Sequence, residues 1–390
     1  MKKTLIAAAV LSMSGAAFAQ TNVTLFGIVD AVVAVGNGSL TDRTRLHNSG
    51  FNSSRFGVQG VEDLGGGLRA GFWLEAGVNN DDGTGQASQN SNQLANPSLV
   101  TATGAAGTAA AAATGTTQNP AINARNQGLT FNRRSVVSLG GSWGQINAGR
   151  DYTPHFWNHT AFDPFGTNGV GTSLAMNGRT GGETSVRASN SIAYAYGYGF
   201  NGAKVFGTGG LNVDIMYYMG ENASGAATSD DGRGTSARIG YAGKNWNVAV
   251  GSGKTDYATG QTAATAPAGE ISTTNIGGNY NLGVANIMGL WNEDDVNGTK
   301  KVGMLIGATA PMGQGLVRAS YSTTEVDVAG GAASKQIALG YVHNLSKRTQ
   351  VYATYARVTN DNGANFALNA STTAANASSS GMDFGIKHNF

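Results

Sequence analysis

The chain has 390 residues and no cysteine; 12% of its residues are charged and 59 are glycine. A soluble domain carries about 25% charged residues, and the absence of cysteine excludes disulfides and thiolate metal sites. The formal net charge of +2 includes two lysines near the N-terminus, so the rest of the chain is nearly neutral. This charge balance argues against a protein that binds nucleic acid through its phosphates.

The N-terminal segment has the pattern of a secretory signal peptide. Two lysines precede a short apolar run at residues 5–13, and Ala17-Phe18-Ala19 provides a small-x-small cleavage site. The apolar run is too short for a membrane-spanning helix. We therefore predict a signal peptide over residues 1–19, export through the general secretory route, and a single domain over residues 20–390.

Beyond residue 20, apolar residues alternate with polar or small ones in segments of about ten, which is typical of transmembrane β-strands. In residues 68–78, Leu68 and Phe72 share one face, whereas Arg69 and Glu75 share the other. Arg318 is assigned to an inward face, because an arginine that faces lipid at the bilayer midplane costs roughly 2–4 kcal/mol. After residue 20, no uninterrupted apolar run is long enough for a transmembrane helix.

The alternation predicts an all-β fold, in which sixteen antiparallel transmembrane strands close into a barrel. Short turns rich in glycine and asparagine, such as residues 63–67 and 243–245, alternate with longer connections, as in outer-membrane barrels. Only the turn near residues 197–209 is difficult to delimit. The strands are predicted to start near Asn22, Ser53, Leu68, Leu129, Trp143, Ser189, Gly210, Gly234, Asn245, Thr273, Gly283, Lys301, Gly315, Lys335, Arg348 and Gly381.

Two connections are too long for hairpin turns. Residues 149–187 are rich in aromatic side chains, and we predict that they fold into the lumen and narrow a water-filled pore. Residues 79–128 are rich in Ala, Thr, Gly, Asn and Gln. We predict a surface loop there rather than a helix at the alanine run 109–113, because the neighbouring Gly and Thr disfavour helix.

Seven short stretches, in this order along the chain, carry a family resemblance: VTLFG at 23–27, SRFG at 54–57, EDLGGGL at 62–68, FNR at 131–133, GR at 149–150, DPFG at 163–166, and the terminal Phe390. Together they resemble the general trimeric porins of Gram-negative bacteria, most closely those of the Burkholderia, Neisseria and Bordetella type. The resemblance covers residues 20–390. It implies an outer-membrane homotrimer of sixteen-stranded barrels, in contact with outer-membrane lipid, that passes ions and small hydrophilic solutes by passive diffusion.

The resemblance also implies a pore constriction at which wall arginines face acidic residues. It assigns the basic positions to Arg55, Arg133 and Arg187 and the acidic ones to Glu75 and to Asp163 in the third external loop. Alternation alone does not choose between Arg133 and Arg134. Charges of opposite sign across a narrow lumen would set a transverse field that acts on passing ions.

Four further arginines are secondary lumen charges or structural partners of nearby carboxylates: Arg69, Arg134, Arg238 and Arg318. Phe390 and the apolar residues at spacing two before it resemble the signal read by the outer-membrane barrel assembly machinery, although His388 interrupts the alternation. Since the basic positions outnumber the acidic ones, we expect a mild preference for anions.

Other chemistries find little support. His155, His159 and Asp163 have helical spacing, but Pro154 and Pro164 bracket them, so we expect no metal site. The sequence offers no catalytic constellation and implies no cofactor. A glycine pattern at residues 197–202 precedes no predicted helix, as a dinucleotide site would require. The alternatives are a substrate-selective channel on the same barrel or, less favoured, a barrel enzyme or adhesin. If the two histidines titrate near pH 6.5, they would make the pore pH-sensitive.

Overall fold

The structure, a computed structural model, describes residues 22–88, 92, 128–178, 183–226, 229–258, 268–328 and 330–390. The predicted signal peptide and most of the 79–128 connection lie outside these described residues.

One closed antiparallel sheet dominates the described part of the chain. Its ladder runs around the barrel and closes where β1 pairs with β18, from Ile28 with Asn389 to Asn37 with Ser380. The strands are β1 (Asn22–Asn37), β2 (Arg43–Asn48), β3 (Arg55–Gly65), β4 (Leu68–Asn79), β5 (Thr84–Gly85), β6 (Arg134–Gly141), β7 (Gly144–Tyr152), β8 (Arg187–Tyr196), β9 (Gly210–Tyr218), β10 (Gly234–Ala242), β11 (Trp246–Ala258), β12 (Ala268–Asn281), β13 (Asn286–Val296), β14 (Thr299–Met312), β15 (Gly315–Val326), β16 (Ala333–Asn344), β17 (Thr349–Asp361) and β18 (Ser379–Asn389).

These segments make sixteen barrel positions, which confirms the predicted fold. β2 and β3 pair with successive parts of β1 and so occupy a single position. β5 is a two-residue addition to β4, and β4 pairs directly with β6. β2 was not predicted, because its sequence RTRLHN contains only one large apolar residue. Most predicted starts agree closely, but β6 begins at Arg134 rather than near Leu129, and β12 begins at Ala268 rather than near Thr273.

Alternation separates an apolar outer face from a polar inner one. On β8, Ile192 and Tyr194 are exposed on the outside, whereas Ser189 and Ser191 are buried inside. This is the pattern expected of a strand with lipid on one side and a polar lumen on the other. Within the described residues, no helix has the length and apolarity needed to span a membrane.

Among the connections in the described part of the chain, two that enter the interior bear on the pore. The first, called loop 3 here, is residues 153–186 between β7 and β8, and it contains α1 (Phe156–Phe162) and α2 (Leu174–Asn177). The second, called the inner turn, is residues 197–209 between β8 and β9. Phe162 of α1 packs with Leu290 and Leu305 of the opposite wall, so loop 3 lies against β13 and β14.

Candidate pore constriction

Two arginines and one carboxylate meet on the inner wall where β3, β4 and the start of β6 lie side by side. Arg133 Nε lies 2.6 Å from Glu75 Oε1, and Arg55 Nη1 lies 3.3 Å from the same oxygen. Trp73 Nε1 donates to Glu75 Oε2 at 3.0 Å. The Arg55 side chain remains 23% exposed, whereas Glu75 is nearly buried. Three of the predicted residues therefore form one contact group.

Tyr152 at the end of β7 connects Arg187 to this group. Arg187 Nη2 donates to the Tyr152 hydroxyl at 2.6 Å, and its guanidinium lies 4.2 Å from the centre of the tyrosine ring. Arg133 donates to the same hydroxyl. We call Arg55, Glu75, Arg133, Tyr152 and Arg187 the wall cluster. It holds three guanidinium groups and one carboxylate, so its charge is positive.

The structure does not bring Asp163 into the wall cluster. Its carboxylate accepts hydrogen bonds from the Phe165 N–H, the Ser173 N–H and the Ser173 hydroxyl, each at 2.8 Å, and so closes a turn within loop 3. Burial raises the pKa of Asp163 to about 6, and the cation that acts on it electrostatically is Arg318. The assignment of Asp163 as the acid that faces the wall arginines stays a prediction.

The two histidines of loop 3 are buried against the wall. A helix does form between the two prolines, since α1 spans Phe156–Phe162. His155 Nδ1 lies 2.8 Å from Ser236 Oγ, and His159 Nε2 lies 3.2 Å from Asn292 Oδ1. Burial lowers the pKa of each histidine to about 4. No group of three His, Cys, Asp or Glu residues suited to a metal ion is found in the described ranges.

The four secondary arginines differ in their surroundings. Arg134 Nε lies 3.1 Å from Asp151 Oδ1. Arg238 donates from Nε to Asn158 Oδ1 of α1 at 2.7 Å. Arg69 is exposed near the β3–β4 turn.

Arg318 is only 2% exposed, and its guanidinium lies 4.6 Å from the ring centres of both Phe51 and Phe165. The Phe165 contact joins β15 to loop 3, so this arginine helps to hold the loop against the wall.

Sequence reasoning missed other charged lumen residues. Lys387 on β18 donates to Asn52 Oδ1 at 2.7 Å and lies 4.7 Å from the Phe51 ring centre. Asp383, four residues earlier on the same inner face, accepts the Val170 N–H of loop 3 at 2.7 Å. Alternation along β18 would have identified both residues. Successive side chains of a strand point to opposite faces, so the neighbours of an outward-pointing residue point into the lumen.

Inward glycines leave room for loop 3 along the wall. A Cβ atom on Gly253 would lie 2.4 Å from Nδ1 of His155, and one on Gly277 would lie 2.3 Å from the Phe162 ring. A side chain at either position would displace loop 3 or the wall. Equally close approaches to loop 3 occur at Gly303 and Gly307.

Comparisons with known proteins agree with this architecture. The family model described as "Gram-negative porin" matches residues 4–363. The chain is 33% identical to outer membrane porin protein 32 of Delftia acidovorans and 27% identical to an outer membrane porin of Bordetella pertussis, and each match covers 100% of both chains.

Among solved structures, the chain is similar to an anion-selective porin from Comamonas acidovorans. The identity is 29% and the TM-score is 0.74, over 95% of this chain and 100% of the other. OmpT of Vibrio cholerae, at 14% identity and a TM-score of 0.60 over 95% of this chain and 98% of the other, shares the fold.

Proposed function

Because this chain belongs to the Gram-negative porin family, we propose that the channel it forms prefers anions mildly and is narrowest between loop 3 and the wall cluster. The chain is an outer-membrane channel protein for passive diffusion, not an enzyme.

The observation that carries the anion preference is the charge imbalance of the wall cluster. The guanidinium groups of Arg55 and Arg133 share the single carboxylate of Glu75, and Arg55 is the more exposed of the two arginines. In a narrow lumen, fixed charge of one sign raises the local concentration of the opposite ion. The similar porin from Comamonas acidovorans is anion-selective, which is consistent with this proposal.

Loop 3 supplies the other side of the proposed constriction. Its contacts with the wall at His155, Phe162 and Val170 are spread over β10 to β18. A segment fixed at so many points cannot swing freely out of the lumen. We therefore assign the narrowing role to the whole of loop 3 and keep Asp163 as its proposed acidic residue.

We further propose a homotrimer, a cleaved signal peptide at residues 1–19, and folding by the outer-membrane barrel assembly machinery that reads Phe390. Phe390 and Gly27 exchange both backbone hydrogen bonds, each at 3.1 Å, beside the β1–β18 closure. A terminal residue paired in this way takes part in closing the barrel, which supports its proposed role as an assembly signal.

The selectivity proposal is tested by the reversal potential of single channels in a salt gradient. Arg55→Gln and Arg133→Gln should each shift the reversal potential toward cations, and the double variant should shift it further. Arg357→Gln is the matched control, because Arg357 is exposed on the outer face of β17 and loses the same charge. An unchanged reversal potential in the double variant would show that the wall cluster does not set selectivity.

A further inference from the structure

The inner turn is much longer than the other turns at the same rim of the barrel. It joins β8 to β9 with residues 197–209, whereas the β3–β4 and β6–β7 connections at the same rim have only two residues each. Asn201 reaches two separate strands: its N–H donates to Gln145 Oε1 and its Nδ2 donates to the Phe72 carbonyl, both at 2.9 Å. Because Asn201 is only 2% exposed, the turn folds back inside the barrel.

A buried ion-pair network fixes the inner turn to the wall. Lys204 Nζ lies 3.1 Å from Asp214 Oδ1 on β9 and 3.7 Å from Asp151 Oδ2 on β7. Arg134 shares Asp151 and donates to the Gly202 carbonyl at 3.4 Å. Lys204 is 1% exposed, and a buried ammonium group is stable only with such partners. The position of the turn is therefore specified by charge as well as by chain connectivity.

The inner turn also contacts loop 3. Arg238 donates to the Val205 carbonyl of the turn at 3.0 Å and to Asn158 Oδ1 of loop 3 at 2.7 Å, so one guanidinium joins both segments. Val205 packs against the apolar clusters of loop 3, and the Phe206 ring lies 6.3 Å from the Phe162 ring at an interplanar angle of 66°. Loop 3 therefore rests on the turn.

We infer that the inner turn is a second pore-narrowing segment, which enters from the rim of the short turns and holds loop 3 in position. Ala203 is exposed and Phe206 is 42% exposed, although Asn201 and Lys204 beside them are buried. The turn thus occupies cross-section that a tight hairpin would leave open. This inference rests on the proposed channel function, because narrowing has meaning only where solutes pass.

The first test replaces residues 197–209 by Asn-Gly, a two-residue turn that suits antiparallel strands. Single-channel conductance should rise about twofold, since conductance follows the open cross-section of the pore, and open-channel current noise should increase because loop 3 loses its support. Equal conductance and noise in the two proteins would overturn the inference. A native chain that gives no channel at all would instead contradict the proposed function.

A second test leaves the turn intact. The chain has no cysteine, so Ala203→Cys introduces a single thiol on the exposed part of the inner turn. A bulky, uncharged methanethiosulfonate added during a recording should lower the conductance of this variant in one irreversible step. Ser346→Cys is the control, because Ser346 is exposed in the short β16–β17 turn at the same rim. Equal responses of the two variants would overturn the inference.

Discussion

Two of the groups of basic side chains inside the described part of the barrel differ in what surrounds them. In the wall cluster, Arg55 and Arg133 share the Glu75 carboxylate, Arg187 joins them through Tyr152, and the Arg55 side chain is 23% exposed. The second group, called the inner cluster, consists of Arg134, Asp151, Lys204, Asp214 and Arg238. Its two carboxylates and the backbone carbonyls of the inner turn surround its cations, and its Lys204 side chain is 1% exposed.

Under the proposed function, this difference separates charges that act on solutes from charges that hold the channel together. A buried ion needs nearby counter-charge and hydrogen bonds, because the loss of hydration costs several kcal/mol. Once a buried ion has these partners, little of its electric field reaches the lumen. An arginine that is partly hydrated and shares its carboxylate with a second arginine is only partly neutralised. Its electric field therefore still acts on passing ions. Residue type alone therefore does not identify a selectivity residue; exposure and local charge balance do.

The largest expected effect comes from breaking the inner cluster. Asp214→Asn removes the closer carboxylate from Lys204 and should lower the free energy of barrel unfolding by roughly 3–5 kcal/mol, the usual cost of leaving a buried charge without its partner. The denaturant midpoint of the barrel in lipid vesicles measures the loss. The reversal potential of channels that still form should stay near the native value.

Asp256→Asn is the control for that variant. Asp256 pairs with Arg233, whose side chain is 45% exposed, and an exposed pair contributes about 1 kcal/mol or less. If Asp214→Asn is no more destabilising than Asp256→Asn, the distinction between a structural inner cluster and a functional wall cluster fails.

An intermediate effect is expected for Glu75→Gln, which should change both selectivity and stability. Arg55 and Arg133 lose their shared carboxylate, so the reversal potential should move toward anions. Loss of hydrogen bonds to a charged group should lower the free energy of unfolding by roughly 1.5–3 kcal/mol, less than in Asp214→Asn because water reaches Arg55. A shift toward cations would contradict the proposed role of the wall cluster.

The sequence predicted the barrel well because alternation with period two is a local property. Each strand records which face meets lipid, and the glycine-rich turns mark one rim. β2 escaped detection because its polar residues give no such alternation. The inner turn could not be recognised, because its fold depends on the contacts of Asn201 and Lys204 with distant strands.

The site was predictable only in part, for the same reason. The resemblance named Arg55, Glu75 and Arg133, and these residues are in contact. It did not identify Tyr152 as the link to Arg187, nor the exposure that distinguishes Arg55 from Arg238. No local pattern indicates that the Asp163 carboxylate bonds within loop 3. Such details depend on where a long loop comes to rest.

The smallest expected effect is a pH dependence that comes from loop 3. Burial raises the pKa of Asp163 to about 6 and lowers the pKa of His155 and His159 to about 4. As the pH falls from about 7 to about 5, Asp163 takes up a proton while both histidines stay neutral. The lumen then loses one negative charge, so the anion preference should rise slightly. The reversal potential recorded at a series of pH values measures this change.

The free energy of unfolding should also depend on pH through these three groups, and the sign of each contribution follows from its pKa. The folded pKa of Asp163 lies above its ordinary value of 3.8, so its contribution is fully stabilising below that value and is lost as the pH rises through about 6. The histidines act oppositely: their folded pKa lies below 6.5, so their stabilising contribution is present above pH 6.5 and is lost as the pH falls toward 4. Asp163→Asn should remove the change in selectivity near pH 6, whereas His159→Gln should leave it. The reverse result would make the histidines, rather than Asp163, the groups through which pH acts on the pore.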